Sequence, residues 1–361
     1  MFFNNVQEIK YSDFLSDIPN GTQLFIMASQ ESIDEIEEMT DFFNLKKQKF
    51  FGGIYSALIA DSELKRKGFI INKVKPVYSE FILPFLMIKT PKLDETKKYT
   101  GIVVCDATNE NVEDVMDTIN SKVQGNINYI GGGASIFNPN FSVDQLRDKK
   151  VLFSNDGFKR GGAYLCIVEE ESKTEVKFGY ELIAGPFSPK YENSRVIKEL
   201  NRDNAFEVYR FNIENIANIS ITPKELLLYG GMYFFANVVD GVITKQLRPV
   251  MVDENGGIIT YYSANRDEEL YMIKADKDLF LEAVDSLTNS LTDFNEKSLV
   301  FSCISREMFL AEDFEMEIKT IDKKNLYKSE GALASGEYSN SNRNKRLTAY
   351  GGACIVSRLS I

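Results

Sequence analysis

The chain consists of short apolar runs rich in Val, Ile, Phe and Tyr, divided by turn residues and by only a few stretches of helical periodicity. Runs of that length and composition are buried strands, and the helices between them are crossovers over a sheet. Gln23 to Ala28, Gly68 to Val74, Glu80 to Ile88 and Gly101 to Cys105 read as such strands. Asn111 to Val123 differs. Its Val112, Val115, Met116, Ile119 and Val123 recur at helical spacing, which predicts an amphipathic helix with one buried face. Asn128 to Ile130 then runs as a strand into Gly131-Gly132-Gly133. The expected fold class is α/β (α+β): mixed β-sheet flanked by helices, with αββα layering as one arrangement of it.

Further along, Val151 to Ser154 and Gly162 to Val168 flank Asn155-Asp156-Gly157, a hairpin signal. Thr174 to Leu182 reads as a strand, ended by a break at Gly185-Pro186-Phe187-Ser188-Pro189. Arg195 to Leu200 and Ala205 to Tyr209 surround Asn201 to Asn204 and read as a second hairpin. A short helical piece around Pro223 to Leu228 stops at Gly230-Gly231, as helix C-termini do. The domain boundary is placed just before it, near residue 212.

In the second half, Arg248 to Val252, Ile258 to Tyr262 and Glu269 to Ile273 read as strands. Leu279, Phe280, Ala283, Val284, Leu287 and Leu291 mark a long helix, with Asp276 or Asp278 as N-cap. Leu299 to Ile304 is a buried strand, Glu307 to Asp322 a helix, and Leu347 to Leu359 a closing strand region. A faint internal echo links Gly53 to Glu63 with Gly331 to Glu337 and suggests a duplicated plan of two related modules.

Composition excludes several chemistries. Among 361 residues there is no histidine, so imidazole can be neither general base nor metal or haem ligand. Cys105, Cys166, Cys303 and Cys354 form no C-x-x-C pair and read as buried hydrophobes of a reducing cytoplasm. Lys plus Arg is 42 against 53 Asp plus Glu, a net charge of −11, which opposes nucleic acid as a partner. The longest apolar run, Phe81 to Ile88, is far short of the ~20 residues a membrane helix takes, and no signal peptide opens the chain. A cytoplasmic protein without membrane insertion is expected. P-loop, dinucleotide-binding and EF-hand spacings are all missing.

Two stretches carry more information. Leu299-Val300-Phe301-Ser302-Cys303-Ile304-Ser305-Arg306 delivers an arginine at a strand exit, and Gly331-Ala332-Leu333-Ala334-Ser335-Gly336-Glu337-Tyr338 follows. Together they resemble the C-terminal half of the FIST family of signal-transduction sensor domains, with Glu317 in the place of that family's helix glutamate. Phe51-Gly52-Gly53 through Glu63, and Gly131-Gly132-Gly133-Ala134-Ser135 followed by Val151 to Gly157, resemble its N-terminal half. The modules would be residues 20–212 and 213–361. Ser341 to Thr348 departs from the family's His-Asn-Thr run, and without histidine no haem is carried over. No cofactor and no metal are expected.

The resemblance implies sensing of a small ligand, such as an amino acid, with output through a separate kinase, cyclase or chemotaxis partner. Arg306 could hold a carboxylate by two parallel charge-assisted bonds, and Glu337, beside Gly336, an ammonium. Cys303, Ser335, Gly132, Gly133 and Ser135 complete the candidate site, the glycines as an anion nest. Two bland readings stand beside this: Arg306 paired with Glu337 or Glu317 to pin helix to sheet, and glycines serving only turns and close packing. A different class is a small-molecule amide or carbonyl hydrolase using Cys303 or Ser305 as nucleophile.

Overall fold

The computed structural model describes residues 1–359 except 87, 110, 138–147, 292–296, 324–327 and 341–345. It is a mixed α/β protein of two compact units, Met1–Lys177 with Ala283–Ile361, and Phe178–Glu282.

The first unit repeats one plan three times. The first copy has an edge strand β1 (Phe2–Phe3), helix α1 (Val6–Tyr11), and β2 (Gln23–Ser29) joined through α2 (Ile36–Leu45) to β3 (Phe50–Tyr55). A hairpin of β4 (Leu58–Ala60) and β5 (Glu63–Lys65) follows, and β6 (Phe69–Val74) returns. The second copy runs β7 (Pro76–Ile82), β8 (Tyr99–Asp106), α3 (Val112–Lys122), β9 (Ile127–Ala134), hairpin β10 (Leu152–Ser154) and β11 (Gly157–Lys159), and return strand β12 (Ala163–Val168).

The third copy opens with β13 (Lys173–Lys177) and is interrupted by the second unit. That unit holds β14 (Tyr180–Phe187), β15 (Pro189–Asn193), β16 (Val196–Leu200), β17 (Asp203–Asn204), α4 (Ala205–Ala217), α5 (Leu226–Tyr229), β18 (Tyr233–Val239), β19 (Val242–Leu247), β20 (Pro249–Val252), β21 (Ile258–Thr260) and β22 (Glu269–Ala275). After α6 (Lys277–Ser290), the copy resumes with β23 (Ser298–Cys303), α7 (Ile304–Leu310), α8 (Phe314–Asp322), β24 (Glu330–Ala334), hairpin β25 (Glu337–Ser339) and β26 (Thr348–Tyr350), and β27 (Cys354–Arg358).

In each copy the two inner strands pair in parallel and the return strand pairs antiparallel with the first of them. Each hairpin, however, joins the sheet of another copy. The three sheets are ordered β1-β6-β2-β3-β10-β11, β7-β12-β8-β9-β25-β26 and β13-β27-β23-β24-β4-β5. The exchange is cyclic and ties all three copies together.

Register identifies equivalent positions. Ile26, Val103 and Val300 pair with Gly52, Gly131 and Gly331. A Cβ on those glycines would stand 2.2 Å from Ile26 O, 2.1 Å from Val103 O and 1.9 Å from Val300 O, so only glycine fits in each copy. The echo of Gly331 therefore falls on Gly52, one residue before the expected Gly53, and the plan has a third copy at Gly131.

Several expected elements differ. The Asn155-Asp156-Gly157 turn joins β10 to β11, and Gly162 to Val168 lies in another sheet. Ala205 to Tyr209 is helical: Asn204 caps Phe206 and Glu207 N–H, and Ala205, Phe206, Tyr209 and Ile213 bury one face. The strand expected to end at Ile88 ends at Ile82, before Pro84, and Met87 lies outside the described residues. Thr174 to Leu182 splits between β13 and β14, and β14 carries on through Gly185-Pro186. Glu307 to Asp322 is two helices, broken at Ala311 with φ 51°. The expected N-cap Asp276 does accept from Leu279 N–H.

Candidate functional site

The inner strands β3, β9 and β24 end against one another. Three equivalent bonds hold the hairpins there: Ile54 N to Val151 O at 2.8 Å, Gly133 N to Gly336 O at 2.8 Å, and Leu333 N to Ala57 O at 2.9 Å. A second set links one copy to the next. Ser135 N donates to Ile54 O, Ser335 N to Gly133 O, and the Ser56 hydroxyl to Leu333 O at 3.5 Å. Ser56, Ser135 and Ser335 thus occupy the same position in three copies, and the Ser135 and Ser335 hydroxyls touch.

The symmetry breaks one step into the hairpin. Leu58 pairs with Ala332, Leu152 with Gly53, and Glu337 with Gly132. Two copies carry leucine where the third carries a fully buried carboxyl. Glu337 Oε2 accepts from Ala353 N–H at 3.0 Å, whereas Oε1 has no hydrogen-bond partner. Burial, aided by the adjoining Cys303 thiol, pushes the Glu337 pKa well up, against the opposing pull of the Ala353 N–H and the Arg306 charge.

Arg306 is also fully buried. Its Nε lies 3.1 Å from both Glu317 oxygens, and its Nη2 2.8 Å from Oε2. Nη1 donates to Gly352 O at 3.2 Å, and the Ser302 hydroxyl to Glu317 Oε1 at 2.8 Å. The left-handed turn at Ala311 separates α7, which carries Arg306, from α8, which carries Glu317. The pair fastens both helices to β23 and to the turn before β27.

Sequence models of the FIST N domain and the FIST C domain match residues 22–203 and 205–340. The chain belongs to the FIST family. FIST domains are sensor-type domains of signal transduction. No curated protein matches the chain.

The FIST motif residues come together in the first unit, but in roles that local sequence does not disclose. Arg306 is engaged by Glu317, the bland alternative, and does not present a free guanidinium fork. Gly132 and Gly133 lie within extended β9 and form no nest; the Gly133 N–H is taken by Gly336 O. Both serve close approach, since a Cβ would come 2.3 Å from the Phe301 ring at Gly132 and 2.4 Å from Ser335 O at Gly133. Gly336, at φ 98°, makes the turn that swings Glu337 into the neighbouring sheet. Cys303 is buried, and its Sγ accepts from the Ser305 hydroxyl at 3.1 Å. Residues 341–345 of the departing Ser341 to Thr348 segment lie outside the described residues, and Thr348 opens β26.

Sequence reasoning overlooked Ser56. The signal is a spacing, Gly-x-x-x-Ser, present at Gly52 to Ser56, Gly131 to Ser135 and Gly331 to Ser335. Among the described residues no group of three His, Cys, Asp or Glu side chains is placed to hold a metal ion.

All four cysteines are buried, and burial raises the pKa of Cys105, Cys166 and Cys354, that of Cys166 to about 12. Thiols so placed are inert. A disulfide reagent is expected to label the native protein negligibly and to titrate four thiols after denaturation. Rapid native labelling of Cys303 would instead favour nucleophilic chemistry there.

Proposed function

We propose that this FIST protein senses a small polar metabolite of amino-acid type at the cluster around Glu337, and signals through a separate partner of kinase, cyclase or chemotaxis class. The observation that carries this reading is the unused Oε1 of Glu337, at a position where the other two copies hold leucine. A buried polar atom left without a partner costs about 1–3 kcal/mol, and packing at this position does not require it. Ligand contacts would fall to Glu337, Gly336, Ser335, Cys303, Arg306, Gly132, Gly133 and Ser135. Because Arg306 is held by Glu317, a ligand carboxylate would bind it by displacing that glutamate. Binding would then free α8 and turn occupancy into a shift between two arrangements. Among the described residues no helix is long and apolar enough to cross a membrane. We place the protein in the cytoplasm, with modules meeting near residue 212.

The test is a thermal-unfolding screen of amino acids, dipeptides and small acids on the wild type and on Glu337→Leu. At least one compound is expected to raise Tm in the wild type and not in the variant. A screen in which every compound leaves the wild type unmoved would end this reading. The hydrolase alternative is the weaker one, because Cys303 is buried and burial raises the pKa of the carboxyl beside it.

A further inference from the structure

A second polar feature of the first unit shares no residue with the Glu337 cluster. A cavity of about 480 Å³ lies where the first copy's return strand and hairpin meet the start of the third copy's inner strands. That volume suits a small-molecule site. Phe2, Phe14, Ala60 and Ile71 supply apolar wall, and Lys73, Lys297 and Lys328 supply three ammonium groups. In a chain of net charge −11, three cations on one cavity wall are a marked local reversal.

The charge there is not balanced internally. Of the two carboxylates on the wall, Glu330 is already held by Lys297 at 2.5 Å and by the Met1 amino nitrogen at 2.8 Å. Asp61 is exposed. Lys73 donates to Asp17 O at 2.9 Å and stands 4.5 Å over the Phe14 ring; Lys328 donates to the Ser62 hydroxyl at 2.7 Å. Neither ammonium meets a carboxylate among the described residues. Asn72 is oriented by its neighbour: Lys297, which can only donate, takes Oδ1 at 2.8 Å, leaving Nδ2 buried and without an acceptor.

The threefold plan acts as an internal control. In the second copy, register places Cys166 at the position of Asn72 and Ile167 at that of Lys73; in the third it places Ser357 and Arg358 there. Glu330 corresponds to Phe51 in the first copy and Ile130 in the second. The second copy holds Cys166, Ile167 and Ile130 at these positions, so the polar lining is not a requirement of the architecture, although cations recur at Arg358 for Lys73 and at Lys49 for Lys328.

We infer that this cavity binds a small oxyanion, a carboxylate or phosphate on a compact body, between the ammonium groups of Lys73 and Lys328. Malonate and inorganic phosphate, titrated at constant ionic strength against chloride, are the probes, read by calorimetry and by amide shifts. Saturable binding is expected, with shifts at Phe2, Ile71 and Asn72. Lys73→Gln and Lys328→Gln should each weaken it about tenfold, as loss of one charge-assisted bond does. Lys122→Gln, exposed on α3, is the charge control and should bind as the wild type does. Glu337→Leu should also retain binding, which separates this site from the sensor reading. Non-saturating titration with both probes, or equal weakening in Lys122→Gln and the cavity variants, would overturn the inference.

Discussion

Arg306→Ala is expected to destabilise the first unit by about 3–5 kcal/mol, as removal of one partner from a buried ion pair does. The loss arises less from the missing attraction than from what remains. Glu317 would be left in a dry interior without its guanidinium partner, with the Ser302 hydroxyl still beside it, and the Gly352 carbonyl would lose a donor. Glu317→Ala should cost a similar amount, by stranding the guanidinium. Replacing both by apolar residues of similar volume, as in Arg306→Met with Glu317→Leu, should recover most of the stability. Urea unfolding of the singles and the double reads this directly. Additive single losses in the double variant would show that the two groups do not act as a pair.

The second large effect has the opposite sign. Glu337→Leu, which gives the third copy the residue its two counterparts carry, is expected to stabilise the protein by about 1–3 kcal/mol at neutral pH. It replaces a carboxyl whose Oε1 has no partner with a side chain that the fold accommodates at Leu58 and Leu152. The wild type should also lose stability as pH rises. Well below the ordinary carboxyl value of 4.5, folded and unfolded chains both hold this proton. Above it the unfolded chain releases the proton and the folded chain does not, so unfolding is favoured increasingly up to the raised pKa. Glu337→Leu and Glu337→Gln should both lack that component. If either variant keeps the wild-type pH slope, the carboxyl titrates normally and is not held in its acid form.

Much of this was legible in the sequence. The apolar runs located most strands, the spacing from Val112 to Ile119 located α3, and the motif around Ser302 to Arg306 pointed to the family. The Gly-x-x-x-Ser spacing even carries the threefold plan, although two of its copies read more readily as a single echo. Local pattern misled where a long-range partner decided the outcome. The turn at Asn155 to Gly157 gives a hairpin, but nothing nearby tells β10 to add to β3 in another copy. Ala205 to Tyr209 suits a strand by composition, yet the Asn204 cap and the burial of Phe206 and Tyr209 made it a helix.

The sequence by itself determined the periods, the turns and the three glycines whose missing side chains let neighbouring strands close up. Those properties act over a few residues, where covalent geometry and side-chain bulk are decisive. Only the tertiary structure decided which sheet each hairpin enters, that Arg306 faces Glu317, and that Glu337 stands in a leucine's place. Each is a choice among partners far apart in the chain, and it is made by whichever buried surfaces and donors the assembled copies leave unmatched.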